Sequence, residues 1–268
     1  MTDPAPTVTR ILVGATSYAD AASALHIARR LVQARNVAMG GTGNLGGLLV
    51  QQNEVIAICG LPNRFVVSAS GAVAMAPTLG QVRRLLAADA RAFRERLAEI
   101  AGSPGAGWSF EQQIGDLVDR AVEAARTWDV LIFGYRRVHA VPGQVLVLRP
   151  DRPDGAAAMR LGATLAHDLR TDLVAIDVGG APRGQAEVGH QTTLRVRDFE
   201  TALARITRTN VQAVVVDLAH GPLRTHDDLR QLIEAARCPV VVLGAASERP
   251  ALPFDTLFPP VTPRGAVR

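Results

Sequence analysis

Lysine is absent from all 268 residues. Its absence excludes Schiff-base chemistry and the phosphate-gripping lysine of a Walker loop. Aromatic residues make up only 4 % of the chain. The core must therefore be built from Ala, Val, Leu and Ile, a palette suited to a parallel sheet under helices. There are two cysteines, Cys59 and Cys238, each in an apolar run and without CxxC spacing. Buried, reduced thiols are expected. No apolar run reaches roughly 18 residues, so no membrane insertion is expected. Residues 1–9 are polar and proline-bearing, with no signal-like apolar stretch. These features together read as a reduced, cytoplasmic protein.

Arginine supplies all 29 basic residues, against 25 acids, for a formal net charge of +4. The arginines come as short pairs, Arg29-Arg30 and Arg83-Arg84, or alternate with acids, as in Arg94-Glu95-Arg96. A nucleic-acid binder should gather its charge on one face, so no specific nucleic acid is expected as a partner.

What is present is an alternation of strands and helices. Residues 10–14 read as a short strand, and residues 19–34 as a helix with Ala21, Ala24, Leu25, Ala28, Leu31 and Val32 on one face. A second apolar run covers 45–50. Residues 51–77 are apolar but broken by Gly60, Pro62 and Gly71, an excursion suited to a partner surface. Residues 79–101 form the clearest helix, with Val82, Leu85, Leu86, Ala90, Phe93, Leu97 and Ile100 in one stripe. Residues 108–114 alternate as a half-buried strand, Asp116 is placed to cap a short helix, and 129–133 is a buried strand. Further strands are read at 144–148, 172–178, 190–196, 211–218 and 239–243. Helices fall at 154–169, from Asp198 to 206, and from Thr225 or His226 to 236. Strands separated by helices of this length imply right-handed crossovers and a parallel sheet.

This order, with Trp108-Ser-Phe-Glu-Gln-Gln-Ile-Gly115-Asp116 leading into a short helix and then Trp128-Asp-Val-Leu-Ile-Phe-Gly134, resembles the universal stress protein family. Residues 209–217 and Arg237-Cys-Pro-Val-Val-Val-Leu243 resemble the family's later strands. The resemblance implies an α/β fold of two tandem universal-stress-protein-like (adenine nucleotide alpha hydrolase-like) units, with parallel sheets flanked by helices. The expected division is a tail at 1–9, a first unit at 10–143 lacking its last helix and strand, a second unit at 144–246, and a proline-rich tail at 247–268. Strand 144–148 could complete the first sheet while beginning the second.

ATP-binding members of that family follow the fourth strand with a glycine loop that lays backbone N–H groups against phosphates. Here Gly134 matches the first glycine, but Arg137 stands where the second belongs. In the other unit Leu218-Ala-His-Gly221-Pro222 is shorter still. Thr16 replaces the acidic residue that usually ends the first strand, and Asp151 is a displaced candidate in the second unit.

The candidate ligand crevice gathers Thr16, Ser17, Gly134, Tyr135, Arg136 and Arg137 at the carboxyl ends of adjacent strands. Arg136 and Arg137 could hold a phosphate or carboxylate. The alternative is a solvated linker with surface arginines. Gly41-Thr42-Gly43-Asn44-Leu45-Gly46 is a literal GxGxxG, which would need a strand before it and a helix after it to bind a dinucleotide. A rival reading makes 37–39 that strand and 48–58 that helix; a flexible turn is the plainer one. The histidines (His26, His139, His167, His190, His220 and His226) lack metal-ligand spacing. Asp217 beside His220 hints at acid–base chemistry, against the plainer role of a turn or cap group. No catalytic or metal-binding residues are assigned.

The resulting expectation is a non-enzymatic adaptor or sensor, homodimeric and acting through a protein partner, with degenerate nucleotide loops. The alternatives are a stress-response regulator that binds ATP or AMP, and a dinucleotide-dependent enzyme using Gly41 to Gly46.

Overall fold

The structure is a computed structural model that describes residues 9–39, 44–52, 57, 65–67, 71, 73–75, 77–102, 107–136, 143–150, 156–179, 186–188 and 191–245. Residues 1–8 of the first expected tail, residues 246–268 with the whole of the second, Cys59, Arg137, His139, Asp151, His190 and most of 51–77 lie outside these residues, while Thr9, expected in the tail, is buried.

The N-terminal elements are β1 (Arg10–Ala15), α1 (Tyr18–Met39), β2 (Asn44–Gln51), β3 (Phe65–Val67), β4 (Val73–Met75), α2 (Leu79–Ala101), β5 (Trp108–Ile114), α3 (Leu117–Ala124) and β6 (Val130–Phe133). A single 3₁₀ turn, Ala125–Thr127, extends α3. The C-terminal elements are β7 (Gln144–Pro150), α4 (Ala156–Leu169), β8 (Leu173–Val178), β9 (Ala186–Val188), β10 (Gln191–Val196), α5 (Phe199–Thr207), β11 (Val211–Asp217), α6 (His226–Ala236) and β12 (Val240–Leu243).

Local chemistry sets the helix starts. Thr78 and Gln81 close a capping box at α2. Asp116 accepts from the Asp119 N–H at α3, and Asp198 from the Thr201 N–H at α5. Thr225 and Asp228 close a second capping box at α6. Each cap satisfies backbone donors that the first helical turn leaves open.

Ten strands form one sheet in the order β5-β2-β1-β6-β12-β11-β7-β8-β10-β9, while β3 and β4 form a separate antiparallel pair. Every pairing in the main sheet is parallel except two: β12 with β6, and β10 with β9. Within each group of strands the pairing is parallel as expected, except at β9, and the two groups meet antiparallel at β6 and β12. The idea that 144–148 completes the first set of strands is corrected, since β7 pairs β11 and β8. It is β12 that lies against β6, with Val240 opposite Phe133 and Leu243 opposite Val130.

That central seam is dry. All four residues of β6 and all four of β12 are buried. One face of the sheet packs against α1, α2 and α4 through residues such as Leu25, Phe93 and Leu161. The other packs against α3, α5 and α6 through Val118, Ile206 and Leu232. Strands covered on both faces need continuous apolar runs, which is why β12 is Val-Val-Val-Leu and the middle of β11, residues 213–216, is Ala-Val-Val-Val.

The strand Asn44–Gln51 also settles the dinucleotide reading. Gly46 sits inside β2, opposite Leu12 of β1, and residues 37–39 belong to α1. The required strand–turn–helix order is reversed at this place, so the GxGxxG match carries no dinucleotide site.

Candidate functional site

The carboxyl ends of β1 and β6 bring Thr16, Ser17, Gly134, Tyr135 and Arg136 together, because Gly14 pairs with Phe133 and the Gly134 N–H donates to the Gly14 carbonyl at 2.8 Å. Arg137, read as their companion, lies outside the described residues. The crevice is closed by the chain's own groups. The Thr16 and Ser17 hydroxyls donate to Asp20 Oδ2 at 2.8 and 2.6 Å. Ser17 Oγ in turn accepts the Asp20 N–H at 3.1 Å. The Ser23 hydroxyl donates to the Tyr135 carbonyl at 2.6 Å. Gly134 lies so close to the start of α1 that a Cβ there would sit 2.7 Å from the Asp20 carbonyl oxygen. Arg136 is exposed and turned to solvent.

The matching end of the other strand group is closed differently. Asp217, at the end of β11, is buried. Its Oδ1 accepts the backbone N–H groups of Ala219 at 2.9 Å and His220 at 3.3 Å, while Oδ2 lies 3.2 Å from His220 Nδ1. Gly244 has a left-handed φ of 72°, and a Cβ on it would approach Asp217 Oδ1 to 2.6 Å. Donors that a phosphate would need at this turn are thus bonded to a carboxylate of the same chain. The Asp217–His220 pair suggested by the sequence exists, and it closes a turn.

An ionic row that sequence reasoning missed crosses the same end of the sheet. Arg149, Asp177 and Arg195 stand side by side on β7, β8 and β10. Arg149 Nε donates to Asp177 Oδ1 at 2.5 Å and its Nη2 to Oδ2 at 3.3 Å, while Arg195 Nε lies 3.7 Å from Oδ2. Asp177 is only 2 % exposed, so its charge is held by the forked guanidinium geometry rather than by water. The available signal was parity: each of the three charges interrupts an apolar or alternating strand on the side facing α4.

A second ionic group ties α3 to α6. Arg230 reaches Asp116 and Asp119, each at 2.8 Å, and Asp227 at 2.5 Å; His226 Nδ1 lies 2.7 Å from Asp119. Hydrogen bonding to Arg230 holds the Asp116 carboxyl below the usual carboxylate range. On the opposite face, a groove of about 490 Å³ between α1 and the end of α4 is lined by His26, Arg30, His167 and Asp168. Burial pushes the Asp168 carboxyl up against the opposing pull of His167 and Arg30. Burial also pushes the free Cys238 thiol up to about 12, leaving it a packing residue rather than a nucleophile. Among the described residues, no cluster of His, Cys, Asp and Glu has the makings of a metal site, and no helix is long and apolar enough to cross a membrane.

No protein-family model and no curated protein matches the chain. Solved structures similar to it include a universal stress protein from Archaeoglobus fulgidus DSM 4304, at 12 % identity and a TM-score of 0.46, covering 89 % of this chain and 97 % of that one. A functionally unknown protein from Pseudomonas aeruginosa PAO1 is similar at 11 % identity and a TM-score of 0.42, covering 94 % and 95 %. A candidate universal stress protein from Pseudomonas aeruginosa UCBPP-PA14 is similar at 10 % identity and 0.40, covering 89 % and 94 %.

Proposed function

We propose that the chain is a non-enzymatic adaptor or sensor of the universal-stress-protein kind, working as a homodimer through a protein partner. In this reading residues 10–143 and 144–246 are two α/β units fused at β6 and β12, and neither retains a nucleotide loop. The observation that carries it is the closure of both carboxyl-end crevices by internal hydrogen bonds: Ser23 on the Tyr135 carbonyl, and Asp217 on the Ala219 and His220 N–H groups. A binding loop keeps such groups open for its ligand. Among the described residues of the first crevice, Arg136 is the exposed arginine, and a single exposed arginine is a weak anchor.

Thermal unfolding with ATP and with AMP tests the reading. A ligand present at a hundred times its Kd stabilises a fold by about 2.7 kcal/mol. No change in Tm at millimolar nucleotide is expected. A rise of several degrees with either nucleotide would replace the adaptor with the nucleotide-binding regulator.

A further inference from the structure

The two ends of the ten-stranded sheet are finished differently. At one end, β10 is covered by β9, paired antiparallel through Gln191–Val188 and Thr193–Ala186. At the other, β5 is the terminal strand, seven residues long, and among the described residues it pairs on one side only, with β2. It also carries two of the exposed large hydrophobic residues, Trp108 at 42 % and Ile114 at 52 %. A long unpaired edge with apolar side chains is a template for another strand.

The hydrogen bonds of β5 show which of its groups are open. The Leu45 N–H donates to the Gly107 carbonyl, and the Gly115 N–H donates to the Gln51 carbonyl. Odd-numbered residues therefore turn their backbone groups to β2, and Trp108, Phe110, Gln112 and Ile114 turn theirs outward. An antiparallel partner must use those outward residues as its hydrogen-bonded pairs.

For a strand meeting its own copy across a two-fold axis, two central registers satisfy that rule. An axis at Glu111 sets Glu111 against itself, and like charges directly opposite are unfavourable. An axis at Gln112 sets Gln112 against itself, Phe110 against Ile114 and Glu111 against Gln113. The last pair repeats an amide–carboxylate contact that the isolated strand already makes, from Gln113 Nε2 to Glu111 Oε2 at 3.3 Å. Phe110 is already fixed from behind by Phe93, edge to face at 5.4 Å, and by the Arg94 guanidinium at 5.3 Å. It thus presents a rigid apolar partner for Ile114.

We propose that β5 is a self-association edge. Two copies of the chain pair antiparallel through residues 110–114, with the axis at Gln112, and extend the sheet from one copy into the other. This gives the dimer reading above a specific surface. Because the contact is isologous, it closes after two copies instead of propagating.

Sedimentation of the full chain at micromolar concentration, with far-UV circular dichroism as the fold control, tests the proposal. A dimer is expected. Ile114→Arg should convert it to a monomer. So should Gln112→Pro, which deletes an outward N–H while leaving the ladder to β2 intact. Gln112→Cys places two thiols across the axis at a hydrogen-bonded pair, where Cα atoms lie about 5.5 Å apart, within disulfide reach. Mild oxidation should cross-link it beyond the level seen for the unsubstituted chain. A dimer that survives both Ile114→Arg and Gln112→Pro would overturn the β5 edge but leave the homodimer standing. A monomeric wild-type chain would overturn both, without bearing on the nucleotide experiment.

Discussion

The strands of residues 10–133 and those of residues 144–243 solve the same problem with different parts. The first group, β5-β2-β1-β6, stops at four strands and borrows a fifth, β12, from the second. The second group has helices α5 and α6 on one face and α4 on the other. Between β8 and β10, however, the described connection contains β9 and no helix. Just there, the row Arg149–Asp177–Arg195 takes the place of apolar side chains. Where a covering helix is present, as α2 is over β2, the sheet offers Leu45 and Leu49 instead. The contrast is between two fillings of one face: an ion-paired row at the carboxyl ends of β7, β8 and β10, and apolar side chains on β2.

The seam between the groups should be the most sensitive place to strike. Val241 is fully buried opposite Ile132. Val241→Asp puts an unpaired charge in that layer and should cost about 4 kcal/mol or more, enough to lose soluble protein. Recovery of a folded Val241→Asp chain would show that the two groups stand without each other.

The two crevice closures can be compared directly by denaturant unfolding. Gly134→Ala drives a methyl against the Asp20 backbone, which has no side chain to swing away, and should cost about 1–3 kcal/mol. Asp217→Ala strands the Ala219 and His220 N–H groups and should cost a similar ~1–3 kcal/mol. If only one substitution destabilises, the closures are not equivalent.

The smallest effect is expected at the bridge between α3 and α6. Arg230→Ala should cost less than about 1 kcal/mol, and salt should shrink even that, because the network is largely exposed. Its signature lies in pH. Asp116 is held below its ordinary value, chiefly by the hydrogen bond from Arg230. Its contribution is therefore fully present above the normal carboxylate range and fades as pH falls through the lowered value. Melting curves from neutral to acid pH should fall less steeply for Arg230→Ala than for the wild type.

Local features were legible in the sequence, and their arrangement was not. The helix over 79–101 and the helix starts at Asp116, Asp198 and Thr225 appear where spacing and side-chain chemistry placed them, because each depends on residues within a turn or two; of the expected stripe, Val82, Ala90, Phe93 and Leu97 are buried and Leu85 is exposed. The antiparallel seam was invisible because β6 and β12 are apolar on both faces, and such strands carry no mark of direction or neighbour. The Arg149–Asp177–Arg195 row depends on the register of three strands, which no single strand reveals. Strand β9 is three residues long, too short for its pattern to stand out. In the candidate crevice, Thr16, Ser17 and Gly134 do meet, but the group that satisfies both hydroxyls, Asp20, had not been singled out.

The position of β12 also has a consequence in time. A ribosome releases β6 long before it releases β12, so the growing chain carries a bare apolar strand edge until nearly the whole described fold has emerged. Nothing in the N-terminal strands can shield that edge, since their order leaves β6 on the outside. Folding here cannot finish in one part and then proceed to the next. The sheet is locked from the far end of the chain, a high-contact-order topology that folds slowly and depends on protection of the nascent edge.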